Sequence, residues 1–142
     1  MAVYLKPLST EHLEFVRCLR NRYREWFFDK RRIGPWDQQE WYFKYLKSNC
    51  LFWVIYYEDR PVGTISRSKC TDFLNVFELG NLMLLPPYQG RGIMQEALRQ
   101  VTAMNTKAFY VAYVKSDNSA SLRLFKQADF WRVPKKRRKK RA

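Results

Sequence analysis

Residues 86–98 read PPYQGRGIMQEAL. Two glycines flank an arginine, Gly90-Arg91-Gly92. The apolar run Leu82-Met83-Leu84-Leu85 precedes them, and Ile93, Ala97, Leu98 and Val101 follow on one helical stripe. Strand, glycine turn and helix start together make the layout of an anion cradle. Glycine allows positive φ and close backbone approach. Free N–H groups at a helix start, aided by the helix dipole, bind phosphate. Gln89 to Met94 would supply those groups, and Arg91 would add a fixed charge. The glycines fit equally a tight turn that binds nothing, and the turn alone does not choose between the two.

On either side of this stretch the chain alternates strands and helices. AVYLKPL reads as a first strand. Thr10 is placed to cap a helix carrying Leu13, Val16 and Leu19, continuing through NRYREWFFDK. Asp37 with Glu40 resembles a capping box opening QQEWYFKYLKSN. LFWVIYYEDRPVGTISRS holds two β-rich runs around Glu58-Asp59-Arg60-Pro61, a hairpin pattern. NVFELGNLMLL is a longer strand, followed by the glycine turn and a helix over 91–106. AFYVAYV is a strand, NSASLRLFKQA a short helix and DFWRV a final short strand. No internal repeat is visible. Residues 76–115 form a strand-helix-strand unit, whose strands pair in parallel through a right-handed crossover. A ligand would lie beyond the carboxyl end of its first strand.

The 142 residues fit one domain, with 46% hydrophobic and 17% aromatic residues to build a core. The expected boundaries are 1–134 for a single domain and 135–142 for a disordered basic tail. Net charge is +14, and the tail KKRRKKR at 135–141 supplies half of it. A basic body favours an anionic partner such as a nucleotide, a phosphorylated cofactor or RNA. Cys18, Cys50 and Cys70 are scattered and lack CxxC spacing, so no metal site is expected. They are read as core residues of a protein in the reducing cytoplasm. The amino terminus lacks the apolar core of a signal peptide, and LFWVIYY is too short to span a bilayer, so no membrane role is expected.

ELGNLMLLPPYQGRGIMQEAL resembles the acetyl-CoA binding motif of the GNAT superfamily of N-acetyltransferases, Gln/Arg-x-x-Gly-x-Gly/Ala. Gln89, Gly92 and the Pro-Pro-Tyr approach match; Met94 departs from the motif. NSASLRLFKQADF resembles the family's Asn-x-x-Ala/Ser-x-x-Leu-Tyr-x-x-x-Gly-Phe. There Asn118, Ser121, Leu124 and Phe130 match, while Phe125 stands for the usual Tyr and Asp129 for the usual Gly. Either motif alone is weak, but together and in the family's order they are specific, and nearly the whole chain is covered. The resemblance implies an α/β fold of the α+β kind. Its sheet would be mixed and mostly antiparallel, with a splayed parallel strand pair and helices on both faces.

The resemblance implies acetyl-CoA as cofactor. Its pyrophosphate would lie on Gln89, Gly90, Arg91, Gly92, Ile93 and Met94, its arm along Leu82, Met83 and Leu84, and Asn118, Ser121 and Phe125 would complete the cofactor site. The reaction needs a neutral amine, a polarised carbonyl and a proton for the leaving thiolate. The backbone N–H of Leu84 is the expected carbonyl donor. Glu78 is the candidate base, because a carboxylate on a mostly apolar strand is costly unless paired or used. Pairing with an arginine, with water removing the proton, is the other reading. Phe125 cannot donate a proton. Ser121, one turn back, can, unless it only orients the cofactor or faces solvent. His12 is read as surface or packing.

The run RNRYREWFFDKRRIGPWDQQEWYFKYL, with VGTISRS and FELGNLML, resembles the family branch acting on amino sugars attached to nucleotides. That broader branch includes enzymes acetylating ribosomal-protein amino termini. Arg20, Arg22 and Arg24 could meet a diphosphate, and Trp26, Trp36 and Trp41 could stack on a base or sugar; a solvated charged face over an aromatic core explains them equally. The small-molecule amine acceptor is thus expected to be anionic. A nucleic-acid-binding module with vestigial cofactor binding is the competing class, since a Lys/Arg tail binds phosphates without sequence preference. A tail that is only solvated fits the same residues equally. After DFWRV, Pro134 and seven like charges leave no room for the family's last strand. That strand is expected to be missing, leaving an apolar edge for a homodimer to cover.

Overall fold

The computed structural model of the protein describes residues 2–27, 30–70 and 75–133, so the basic tail at 135–142 lies outside it. Five strands form one sheet in sequence order: β1 Val3–Pro7, β2 Cys50–Tyr57, β3 Arg60–Lys69, β4 Val76–Leu84 and β5 Phe109–Ala112. The first four pair antiparallel, and β4 pairs with β5 in parallel. Helices α1 (Leu13–Arg22) and α2 (Pro35–Leu46) cover one face; α3 (Ile93–Ala103) and α4 (Ser119–Gln127) cover the other. The expected mixed sheet with helices on both faces is present.

Two covered faces explain why β2 is apolar throughout Phe52–Tyr56. Side chains alternate across a strand. Phe52, Val54 and Tyr56 therefore join Leu8 and Val16 under α1 and α2. Trp53 and Ile55 join Ile65, Leu79, Ile93, Leu98 and Val101 under α3 and α4. The β2–β3 hairpin turns on Glu58 and Asp59, both at positive φ (49° and 65°), a two-residue turn whose twist suits the strands. The Asp59 carboxylate accepts from the Tyr4 hydroxyl at 2.9 Å and ties the turn to β1.

Several local expectations need correction. Ser9, not Thr10, precedes the first helical turn, which is 3₁₀ over Thr10–His12. Helix α2 starts at Pro35, with Gly34 as N-cap and Asp37 inside the first turn, where its Oδ2 accepts from the Gly34 N–H at 3.1 Å. Proline at the first helical position has the right φ and no N–H to waste, so the helix begins two residues before Asp37. The cysteines are not core: Cys18 is exposed, and Cys50 and Cys70 are half-buried. His12 is packing: it is buried, and its Nε2 lies 2.9 Å from the Tyr56 hydroxyl.

Residues 129–133, expected as a final strand, form none. They continue from the end of α4. The Phe130 N–H donates to the Phe125 carbonyl at 2.9 Å and the Asp129 N–H to Lys126 at 3.1 Å, around a left-handed Asp129 at φ 65°. This is a Schellman ending, completed by the ring contact of Phe125 with Phe130 at 5.0 Å. Among the described residues β5 therefore keeps an unpaired edge, with Phe109 and Tyr113 exposed. No helix among the described residues is long and apolar enough to cross a membrane.

One irregularity in β4 positions the site. Ser66 pairs with Gly80 and Thr64 with Met83, so Asn81 and Leu82 together oppose Ile65 in a β-bulge. Asn81 takes φ 52°, which Asn tolerates better than most residues. Just past the bulge β3 runs close to β4. A Cβ on Gly63 would overlap the Met83 carbonyl oxygen. The β4–β5 ladder runs from Val76↔Phe109 to Leu79↔Ala112 and ends there, while β4 continues to Leu84. The two parallel strands thus part where the bulge begins.

Candidate active site

The gap between the parted strands widens into a cleft of about 950 Å³. Glu78 and residues 82–84 of β4 form one wall, and residues 112–115 the opposite wall. Gln89, Gly90, Gly92, Ile93 and Met94 close one end, and Asn118, Ser121 and Phe125 of α4 add a side. The residues expected to bind the cofactor or act in the reaction all line it except Arg91.

Gly90 and Gly92 both adopt positive φ, 72° and 78°, and Gly92 is the N-cap of α3. The first N–H groups of α3 lack intrahelical partners by position and start at the cleft. A Cβ on Gly90 would meet nothing within 4 Å, so backbone conformation, not crowding, calls for glycine there. Arg91 does not face the cleft. Its guanidinium lies over the rings of Tyr57 and Tyr88, at 5.1 and 5.6 Å, and Nη2 is 3.4 Å from the Tyr57 hydroxyl. Cation–π attraction to two rings outweighs an open position over the turn.

Just after β4, Leu85 donates its N–H to Val62 of β3 at 2.8 Å. Successive residues of a strand direct their N–H and C=O groups to opposite sides. Leu84 therefore directs both of its groups to the open edge. Its carbonyl accepts from the Tyr23 hydroxyl at 2.7 Å. Glu78 sits at the mouth of the gap, exposed, between Ser68 of β3 and Val111 of β5. Among the described residues it has no ion-pair partner, so the expected alternative of pairing with an arginine is not made there. The Cys50 thiol lies near this carboxylate. Its pKa is raised, first by burial and also by the charge of Glu78, against hydrogen bonds from Ser68 and Ser66.

On α4 the motif residues also serve the helix. Asn118 is the N-cap and its Oδ1 accepts from the Ser121 N–H at 3.3 Å. Phe125 is buried against Phe130 with its edge at the cleft. The motif's asparagine and its Gly-Phe pair thus start and stop one short helix, and Asp129 fills the left-handed position of the usual glycine.

Of the residues proposed to meet the acceptor, only Arg20 and Trp26 line the cleft. Arg22 and Arg24 do not, Trp36 is 81% exposed at the start of α2, and Trp41 packs on Tyr45 and Phe52. Helix α2 lies over β2, which takes its tryptophans away from the gap. Sequence reasoning missed Tyr23, Asn81 and Tyr113. Tyr23 follows Arg20 at helical spacing, which was the one available signal. Nothing local marked Asn81 as a bulge residue. Among the described residues no cluster of His, Cys, Asp and Glu could hold a metal ion.

Residues 15–130 match the family described as Acetyltransferase (GNAT) family. The chain belongs to that acetyltransferase family. A search of curated proteins found no match. Among solved structures, a domain from Methanocaldococcus jannaschii DSM 2661 aligns with TM-score 0.82 at 19% identity, over 95% of this chain and 92% of that one. The aminoglycoside acetyltransferase AAC(6')-Ib in complex with coenzyme A aligns with TM-score 0.78 at 17% identity, over 93% and 86%. Spermidine N-acetyltransferase from Vibrio cholerae, in complex with CoA and spermine, aligns with TM-score 0.74 at 16% identity, over 88% and 78%. At these identities the likeness is one of fold.

Proposed function

We propose that this GNAT chain is an acetyl-CoA-dependent N-acetyltransferase that moves an acetyl group to a primary amine by direct attack on the thioester. The observation that carries the reading is the parting of β4 from β5 after Leu79↔Ala112, directly in front of a glycine turn at a helix start. That arrangement suits a long ligand with an anionic end. The N–H groups of 89–94 would take the pyrophosphate, and the open edge of β4 at Leu82 to Leu84 would pair with the extended arm. Asn118, Ser121 and Phe125 would flank it. Acetyl-CoA supplies an activated acyl group.

The chain's own groups then have distinct tasks. The Leu84 N–H, directed to the open edge, would donate to the acyl oxygen as charge develops there. Glu78 would accept the proton of the incoming ammonium, directly or through water; its carboxylate is exposed and has no ion-pair partner among the described residues. Ser121 would return a proton to the thiolate in place of the phenol that Phe125 lacks. The acceptor we favour is an amino sugar, free or nucleotide-linked. Arg20 at the cleft suits the diphosphate of the nucleotide-linked form, and Trp26, 44% exposed there, suits a sugar face.

A thermal-shift measurement tests the reading. Acetyl-CoA binding only to the folded state raises the melting temperature. No shift at millimolar acetyl-CoA would count against it.

A further inference from the structure

Helix α1 is tied to the end of β4 at the wall of the cleft. Tyr23, the C-cap of α1, donates its hydroxyl proton to the Leu84 carbonyl at 2.7 Å. The side-chain amide of Gln89 donates to the same phenol oxygen at 2.9 Å and lies 3.4 Å from the Leu84 oxygen. One phenol thus joins the end of α1, the last residue of β4 and the first residue of the glycine turn. One helical turn earlier, Arg20 Nη1 reaches Asn81 Oδ1 at 3.5 Å. Leu82 and Met83 lie between these two attachments.

The consequence concerns direction. Leu85 is pinned on its other side by its bond to Val62. The Leu84 carbonyl and the Leu85 N–H share one peptide plane, which these two bonds hold from both sides. With the Met83–Leu84 plane set by pairing of Met83 with Thr64, Leu84 is held extended and its N–H keeps facing the open edge. A donor is worth most in catalysis when it is already oriented before charge appears. Losing that orientation costs rate more than binding, because the developing oxyanion needs the bond more than the ground-state carbonyl does.

We propose that Tyr23 is a positioning residue for acyl transfer, whose hydroxyl holds Leu84 so that its N–H faces the acyl oxygen. This rests on the acetyltransferase reading and adds to it a residue outside both motifs. It also makes α1, which carries Arg20 toward the acceptor end, the element through which that end and the cofactor strand are held in register.

Tyr23→Phe removes the hydroxyl and keeps the ring. In the full chain, kcat should fall roughly tenfold or more. KM for acetyl-CoA should stay within about twofold, because the glycine turn still carries the anionic end. The shape of the pH–kcat profile should be retained, since the phenol is not the proton donor. Amide hydrogen exchange at Leu85, whose N–H is bonded to Val62 in the peptide plane that Tyr23 holds, read by NMR on the free protein, should speed up several-fold. Unchanged exchange, or a kcat within about twofold of wild type, overturns the proposal. A lowered melting temperature with unchanged kcat would reduce Tyr23 to packing and overturns it also. Wild-type protein that does not turn over acetyl-CoA would contradict the enzyme reading itself, and with it this role.

Discussion

Asn81 donates from its side-chain amide to the hydroxyl of Ser66, across 2.9 Å, from a backbone at φ 52°. Ser66 is 2% exposed, and the Asn81 carbonyl also accepts from Thr64 Oγ1 at 2.6 Å. These buried polar groups satisfy one another only if β4 carries its extra residue. The bulge that opens the cleft is therefore written into Thr64, Ser66 and Asn81 together.

Asn81→Ala should destabilise the protein by about 1–3 kcal/mol, from the lost donor to the buried Ser66 hydroxyl and a strained left-handed backbone. Asn81→Gly removes the strain but not the lost bond, and should cost less. Urea denaturation measures both. Equal stabilities for all three proteins would show that the bulge does not depend on this network.

Asp129→Gly should stabilise the protein, by up to about 1 kcal/mol, because glycine takes the left-handed position after α4 without a Cβ penalty. The Phe125–Phe130 contact is untouched by the change. A lower denaturation midpoint would mean that the Asp129 side chain contributes something its backbone position does not explain.

Much of the fold was legible because hydrophobic period and turn chemistry agree. Glu58-Asp59 is the hairpin turn, Gly90 and Gly92 take positive φ, and the stripe from Ile93 to Val101 faces the core. The failures fell where tertiary context decides. DFWRV has strand composition, yet Phe130 is committed to capping α4. Trp36 and Trp41 look like stacking residues until α2 is laid over β2. At the site, residues inside motifs were legible and Tyr23 was not, since its partner is a backbone oxygen 61 residues away.

His12 makes stability depend on pH near neutrality. Burial lowers its pKa, opposed in part by the charge of Glu11. A depressed folded value means that its contribution is fully present above the unfolded value of about 6.5 and is lost as pH falls through the folded value. The Glu96 carboxyl, held at about 2 by hydrogen bonds from Arg99 and then Gln100, acts only in a more acid window. The melting temperature should therefore drop between about pH 7 and pH 5, and His12→Gln should flatten that drop. An equal slope in the variant would assign it elsewhere.

Glu78→Gln should lower turnover mainly at low pH, where most of the amine is protonated, with little change in cofactor affinity. An unaltered pH–rate profile would remove Glu78 as base. Ser121→Ala should cost roughly tenfold or more if it protonates the thiolate. Phe125→Tyr in that background should return part of the loss, since the Phe125 ring already reaches the cleft.

The central claim is tested most directly by thiol release from acetyl-CoA over a panel of amino sugars, nucleotide amino sugars and peptides. Wild type and Gly92→Glu are compared, with circular dichroism checking that the variant folds. Gly92 stands at φ 78° at the start of α3, so a glutamate there brings bulk, backbone strain and negative charge to the pyrophosphate position. The account predicts acceptor-dependent release by wild type, greatest with an amino sugar, and none above background by the variant. No acceptor-dependent release by wild type, or equal release by both proteins, would contradict it.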